Sequence, residues 1–219
     1  AASQQMLIAA RKPLAKHRIA ILGEKTNFTD TLSHTLETCG AELLTVSDLN
    51  EVPDGVQDIL YLDALALPES EPMPADLEAR AFLTPLSHLQ NLMESQKDCR
   101  LWIVTRRAFA CGGAPAKPCV QWQAPLLGLG RVAALECPSV WGGIIDLDTD
   151  DDMQTQAQCA ANSLLNADTE DQTAWRQGKR YAPRLVESFV PSRSIQFDKN
   201  GTYLVTGGFG GLGALIGRL

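Results

Sequence analysis

"GTYLVTGGFGGLGALIGRL" runs from Gly201 to Leu219. Its order is a short apolar run, a glycine-rich stretch and an apolar helical pattern, which predicts a strand, a tight turn and the opening of a helix. A pyrophosphate at such a turn accepts hydrogen bonds from backbone N–H groups at the helix N-terminus, helped by the helix dipole. The backbone must come close, so glycine is needed where a Cβ would block it. Gly208 is expected to make the turn, Gly210 to allow the approach, and Gly213 to let the helix pack on its strand. The candidate cofactor-binding residues are therefore Thr206, Gly207, Gly208, Phe209, Gly210, Gly211, Leu212 and Gly213. The competing reading is a glycine turn used only for packing. The residue that reads the ribose, about 20 positions further on, falls outside the sequence, so NAD and NADP are not distinguished by the residues present.

The other end of the chain repeats the theme without the glycines. "RIAILGEKTNFTDTLSHTL" (Arg18–Leu36) also reads as strand, turn and helix. Its turn carries Gly23 and then Glu24, Lys25, Thr26 and Asn27. Those side chains shut out a phosphate, and the Glu24 carboxylate would repel one. The first unit thus has the layout of a nucleotide-binding fold without the site.

Between the two ends, strand patterns alternate with helical ones. Ala41–Leu49, Asp58–Leu65, Arg100–Phe109 and Gly142–Asp148 join Arg18–Gly23 as five strand candidates before Tyr181. Helical spacing is read over residues 30–40, over 75–95 with a kink at Pro85, over Ala124–Glu136, and after the acidic run Asp150–Asp152. Leu67–Pro74 and Cys111–Pro118 are proline-containing loops. The alternation predicts an α/β fold: a truncated Rossmann-like, mostly parallel sheet with helices on both faces. The pattern loosens after Glu187, where a connector is expected to lead into a second unit.

Composition excludes several function classes. The formal net charge is −7 and no basic run stands out, so binding to nucleic acid or an anionic membrane is not expected. No apolar stretch reaches membrane-spanning length. Six cysteines and three histidines fall in no metal-ligand spacing; reduced thiols in a cytoplasmic protein are the expected state. The sequence begins without Met and lacks the ordered parts of a signal peptide, so it is read as cut from something longer.

"WQAPLLGLGRVAALECPSVWGGIIDLD" (Trp122–Asp148) resembles a segment of the ketoreductase domains of modular polyketide synthases. The match is carried by Ala124-Pro125, Gly128-Leu129-Gly130-Arg131-Val132, Glu136, Pro138, Trp141-Gly142-Gly143 and Asp146. "RYAPRL" (Arg180–Leu185) and "TYLVTGGFGGLG" (Thr202–Gly213) agree in order and approximate spacing. The resemblance implies two halves: an N-terminal structural subdomain that binds no cofactor, and a catalytic short-chain dehydrogenase subdomain that binds NADPH. On that basis residues 1–17 are an N-terminal extension, 18–187 the structural subdomain, and 188–219 the connector and incomplete start of the catalytic subdomain. The implied parent reduces a β-ketoacyl group on an acyl carrier protein to the β-hydroxyacyl product. Its implied partners are the catalytic half, neighbouring synthase domains and the carrier protein.

No catalytic residue can be carried over. The proton-donating Tyr and its Lys sit four apart in the family, and Tyr61, Tyr181 and Tyr203 are followed at that spacing by Leu65, Leu185 and Gly207. Arg131 with Glu136 or Asp146 could suggest an acid–base pair; pairing of Arg131 at the join between subdomains is the favoured reading. Trp141 is expected to pack, and Gly142-Gly143 to allow close backbone approach. NADPH binding by this chain is expected to be too weak to detect. The alternatives are a naturally truncated pseudo-ketoreductase scaffold beside a methyltransferase or enoylreductase domain, a non-redox nucleotide-binding module, and a complete small dehydrogenase, which the missing Tyr and Lys oppose.

Overall fold

The computed structural model describes residues 17–67, 82–111, 122–165, 168–187 and 196–217. Most of the Leu67–Pro74 and Cys111–Pro118 loops, the start of the expected 75–95 helix, nearly all of the N-terminal extension and much of the connector lie outside the described residues. The chain divides into two compact units, the first ending at Arg184 and the second beginning at Leu185.

In the first unit, β1 (Arg18–Leu22) leads into α1 (Asn27–Thr38), and β2 (Glu42–Val46) follows. Then come β3 (Asp58–Tyr61), α2 (Thr84–Ser95), β4 (Arg100–Arg106), α3 (Ala124–Glu136), β5 (Trp141–Leu147) and α4 (Met153–Leu165). A hairpin of β6 (Gln172–Arg176) and β7 (Lys179–Tyr181) closes the unit. The sheet order is β2-β1-β3-β4-β5-β6-β7, parallel except for the last pair. A dinucleotide-binding sheet runs 3-2-1-4-5-6. Deleting its outermost third strand leaves five strands in the order found for β2-β1-β3-β4-β5, to which the β6-β7 hairpin is added, so the expected truncated Rossmann-like fold is the one present.

The inner strands β1, β3, β4 and β5 are buried on both sides, as a parallel sheet requires. Ile19, Ile21, Leu60, Val104 and Ile145 face α1 and α4 through Phe28, Leu32, Leu36, Ala157 and Ala161. Their neighbours Ala20, Ile59, Tyr61, Ile103 and Ile144 face α2 and α3 through Leu89, Leu92, Leu126, Leu129 and Ala133. This alternation follows from the two-residue period of a strand. Pro85 falls in the first turn of α2, where its missing N–H leaves no helical bond unmade. Asp152 accepts a 2.9 Å bond from the Thr155 N–H at the start of α4, so the acidic run supplies a cap at the positive end.

The sequence reading missed β6. The hairpin turn is Gln177-Gly178, both at positive φ (51° and 68°), a geometry normally signalled by Asn-Gly or Asp-Gly. It also placed a strand in the apolar run before the glycine turn, around Thr202–Val205, that is not formed. Residues 201–205 are in no ladder, and Tyr203, Leu204 and Val205 are exposed. A central parallel strand is held by hydrogen bonds on both edges, and these residues have neither. The second unit retains the turn and a short helix, α5 (Gly211–Ile216). Among the described residues, no helix is long and apolar enough to cross a membrane.

Candidate functional site

The turn after β1 is closed by the protein's own oxygens. Gly23 has φ +146°, and a Cβ on it would stand 2.8 Å from the Asp63 carboxylate. The Glu24 N–H donates to Asp63 Oδ1 at 3.0 Å. Thr26 caps α1 reciprocally with Thr29: the Thr29 N–H donates to Thr26 Oγ1 at 3.2 Å, and the Thr26 N–H to Thr29 Oγ1 at 3.3 Å. The Thr29 hydroxyl also donates to Glu24 O at 3.0 Å. Donors that would otherwise face an anion are thus taken by a carboxylate and two hydroxyls. A cleft of about 320 Å³ opens beside them, lined by Glu24, Asp63, Phe28, Leu65, Arg106 and Met153 among others. It lies where the strand order reverses around β1, the usual ligand crevice of an open α/β sheet. A pyrophosphate placed there would meet the Asp63 and Glu24 carboxylates, so the residues present do not fit that group.

The turn in the second unit is mostly glycine. Gly207 is in the left-handed region (φ +72°), so it, and not Gly208, makes the turn. The Gly210 N–H donates to Gly207 O at 2.9 Å and the Ala214 N–H to Gly210 O at 2.9 Å. A Cβ on Gly213 would overlap Gly207 O and lie 2.6 Å from Gly208 Cα. Gly213 therefore packs α5 against the turn itself rather than against a strand. Nothing lies within 4 Å of a Cβ built on Gly211. The first N–H groups of α5 have no partner within the helix, and the one side chain between Gly207 and Gly211, that of Phe209, is fully exposed. These residues fit a pyrophosphate.

At the carboxyl ends of β4, β5 and β6 the polar side chains are bonded to one another. Asp146 on β5 is fully buried. It accepts from Thr105 Oγ1 (2.7 Å), from the Ala108 N–H (2.8 Å), from the Phe109 N–H (3.1 Å) and from Arg176. Arg176 also donates to Phe109 O at 2.8 Å. Burial opposes the Arg176 charge, and the adjacent Asp146 carboxylate more than offsets it, so the guanidinium pKa stands above its ordinary value. Asp146 thus stitches three strand ends together. The sequence raised Arg131 as its partner; Arg131 is instead exposed on α3, and Arg176, which drew no attention in the sequence, takes that place.

The Trp-Gly-Gly motif is a packing device. Trp141 is buried in the core and its indole N–H donates to Asp171 at 3.2 Å. A Cβ on Gly142 would lie 2.6 Å from Trp102 Cδ1, and one on Gly143 would lie 2.9 Å from the same ring. The glycine pair makes room for Trp102, whose indole N–H donates to buried Asp58 at 2.7 Å. Gly130 brings α3 close to β5, since a Cβ there would stand 2.7 Å from Ile144.

Three of the described cysteines are poor nucleophiles. Burial pushes the Cys159 thiol up to about 12, and also raises Cys99 and Cys137. In the folded protein, iodoacetamide at pH 8 should therefore leave Cys159 unlabelled until denaturant is added, as read by peptide mass spectrometry; rapid native labelling would contradict this. Among the described residues no group of His, Cys, Asp and Glu is placed to hold a metal ion.

Comparison with known proteins agrees with this architecture. Residues 7–185 match the family model described as the Rossmann fold domain of the polyketide synthase extender module SpnB. Erythronolide synthase EryA3 of Saccharopolyspora erythraea is 41% identical over 133 residues, 59% of this chain and 4% of that protein. Polyketide synthase GfsA of Streptomyces halstedii is 32% identical over 209 residues, 86% of this chain and 3% of that one. The first ketoreductase of the tylosin synthase superposes with a TM-score of 0.67 at 28% identity, over 94% of this chain and 46% of that chain. A C2-type ketoreductase from a modular synthase gives 0.65 at 27% identity, over 97% and 48%. The chain thus spans a few per cent of the curated relatives and about half of the solved ketoreductases. A doubly wound sheet of ketoreductase type, matched to that model over most of its length, identifies the chain as a member of the polyketide synthase Rossmann fold domain family, the Rossmann subdomain of a modular synthase ketoreductase.

Proposed function

We propose that residues 18–187 are a non-catalytic structural subdomain, and that residues 188–219 begin the half of the ketoreductase that binds NADPH. One observation carries the reading: the turn after β1 is filled by Asp63 and Thr26, whereas the turn at Gly207–Gly213 has five glycines, and its two side chains, Phe209 and Leu212, are exposed. In the parent, Thr206 to Gly213 would hold the pyrophosphate through backbone N–H groups at the start of α5. NADPH, when bound, supplies the hydride that turns a carrier-bound β-ketoacyl group into the β-hydroxyacyl product. The first unit contributes rigidity: its potential ligand crevice holds the Glu24 and Asp63 carboxylates, with Arg106 engaged by Gln156 and the Phe28 ring, and its strand ends are tied by Asp146 and Arg176.

Calorimetric titration of NADPH tests the assignment. The 219-residue chain should show no heat of binding, since the strands that would carry the adenine and ribose pockets are not among its residues. In the intact ketoreductase, Gly213→Val should weaken NADPH binding about 100-fold, roughly 2.7 kcal/mol, while Asp63→Asn should leave it unchanged. Binding that depends on Asp63 and tolerates Val at 213 would reverse the roles of the two turns.

A further inference from the structure

The motif Arg180-Tyr181-Ala182-Pro183-Arg184 takes part in neither turn. After β7 the chain from Ala182 to Glu187 has no regular secondary structure, so no ladder holds it. Two arginines do. Arg180 grips Asp168 with both terminal nitrogens, one of them at 2.9 Å from Oδ1. Arg184 grips Glu170 in the same two-toothed way, with Nη1 at 2.9 Å from Oε2. Arg180 on β7 and Arg184 four residues on thus meet Asp168 and Glu170, in the segment before β6, as two rungs. Pro183 between them fixes its own φ and has no N–H to offer a ladder. Arg184 Nη1 also donates to Pro183 O at 2.7 Å, folding the side chain back on its own strand. The hydrogen bonds from Arg180 hold the Asp168 carboxyl below the usual carboxylate range. The compact first unit ends at Arg184, and the next residue, Leu185, is fully exposed.

We propose that the Arg180–Asp168 and Arg184–Glu170 pairs clamp the chain at its departure from the sheet, so that Arg180 and Arg184 are positioning residues fixing where the following segment begins. The clamp rests on the reading that this segment leads into the nucleotide-binding half. Isolated exposed ion pairs hold little, but bidentate geometry on both rungs is the exception. Arg180 strengthens the case, with a side chain only 12% exposed. Lysine, a point charge on a flexible stem, would not substitute.

Hydrogen exchange, read by mass spectrometry on the intact polypeptide, measures the clamp directly. Arg184→Gln should raise exchange of the paired amides of β6 and β7, residues 172–181, about tenfold while β4 and β5 stay protected. The reversed pair Glu170→Arg with Arg184→Glu should return it to within about twofold of wild type; Arg184→Lys should not. Unchanged exchange in Arg184→Gln, an equal rise throughout the sheet, or failure of the reversed pair to recover would each overturn the clamp. The measurement needs no NADPH. Failure of the cofactor assignment therefore leaves it standing, and failure of the clamp leaves that assignment untouched.

Discussion

Asp146→Ala should lower the unfolding free energy by about 3–5 kcal/mol, a large share of the roughly 5–15 kcal/mol typical of a domain. Two losses add. The Arg176 guanidinium keeps its charge in a nearly dry site with its counter-ion gone, and the Ala108 and Phe109 N–H groups lose their acceptor. Urea denaturation with an unchanged m-value reads the loss as stability alone, and the melting temperature should fall by roughly 10–15 °C. The control is Arg176→Leu, alone and combined with Asp146→Ala. Each single change strands a partner, so the double variant should be more stable than the sum of the singles predicts, by at least about 2 kcal/mol. Additivity within about 0.5 kcal/mol would mean that Asp146 acts only as a backbone acceptor and that the ion pair contributes nothing.

Much of the fold could be read from the sequence because its main signals are local. Apolar runs such as Ile19–Leu22 and Leu101–Val104 alternate with amphipathic stretches, and that alternation alone leads to a parallel sheet covered on both faces. What was missed depended on partners distant in sequence. β6 is short, and its turn uses Gln177 at positive φ, a residue that gives no hairpin signal. The segment Thr202–Val205 has every local mark of a strand, yet a parallel strand exists only through neighbours on its edges.

The site divides in the same way. The bulk at Glu24–Asn27 is visible in the sequence as side chains where glycine would be needed. The group that fills the turn is Asp63, on the far side of β3, and only the strand order brings it to Gly23. A faint signal was present: Asp63 comes two residues after β3 ends, where parallel strands deliver side chains to the ligand crevice. Arg176 gave less warning, since an arginine before a hairpin turn ordinarily lies in solvent. Trp141 was read as a packing residue and Gly142-Gly143 as allowing close backbone approach, which Gly143 does beside Asp171 O; the Trp102 ring that both glycines accommodate was identifiable only from the pairing of β4 with β5.

Two glycines of the family motif, only fifteen positions apart in the sequence, should respond in opposite directions to the same substitution. Gly143 has φ +149°, and a Cβ there would stand 2.5 Å from Asp171 O. That carbonyl accepts the Ile144 N–H at 2.7 Å, so an added methyl pushes apart the first rung joining β5 to β6. The obstacle is backbone, with the Trp102 ring on the same side, and neither can swing away. Gly143→Ala should therefore cost about 3 kcal/mol or more, the upper range for overpacking, with backbone strain added. Gly128 lies in the middle of α3, exposed, with nothing within 4 Å of a built Cβ. Gly128→Ala should instead stabilise the chain by about 0.5–1 kcal/mol, because alanine loses less backbone freedom in a helix. Both values come from paired urea titrations of the same chain. If Gly143→Ala were neutral, the motif could not be the seat on which Trp102 lies. If Gly128→Ala were destabilising, a surface must already cover α3 in this chain.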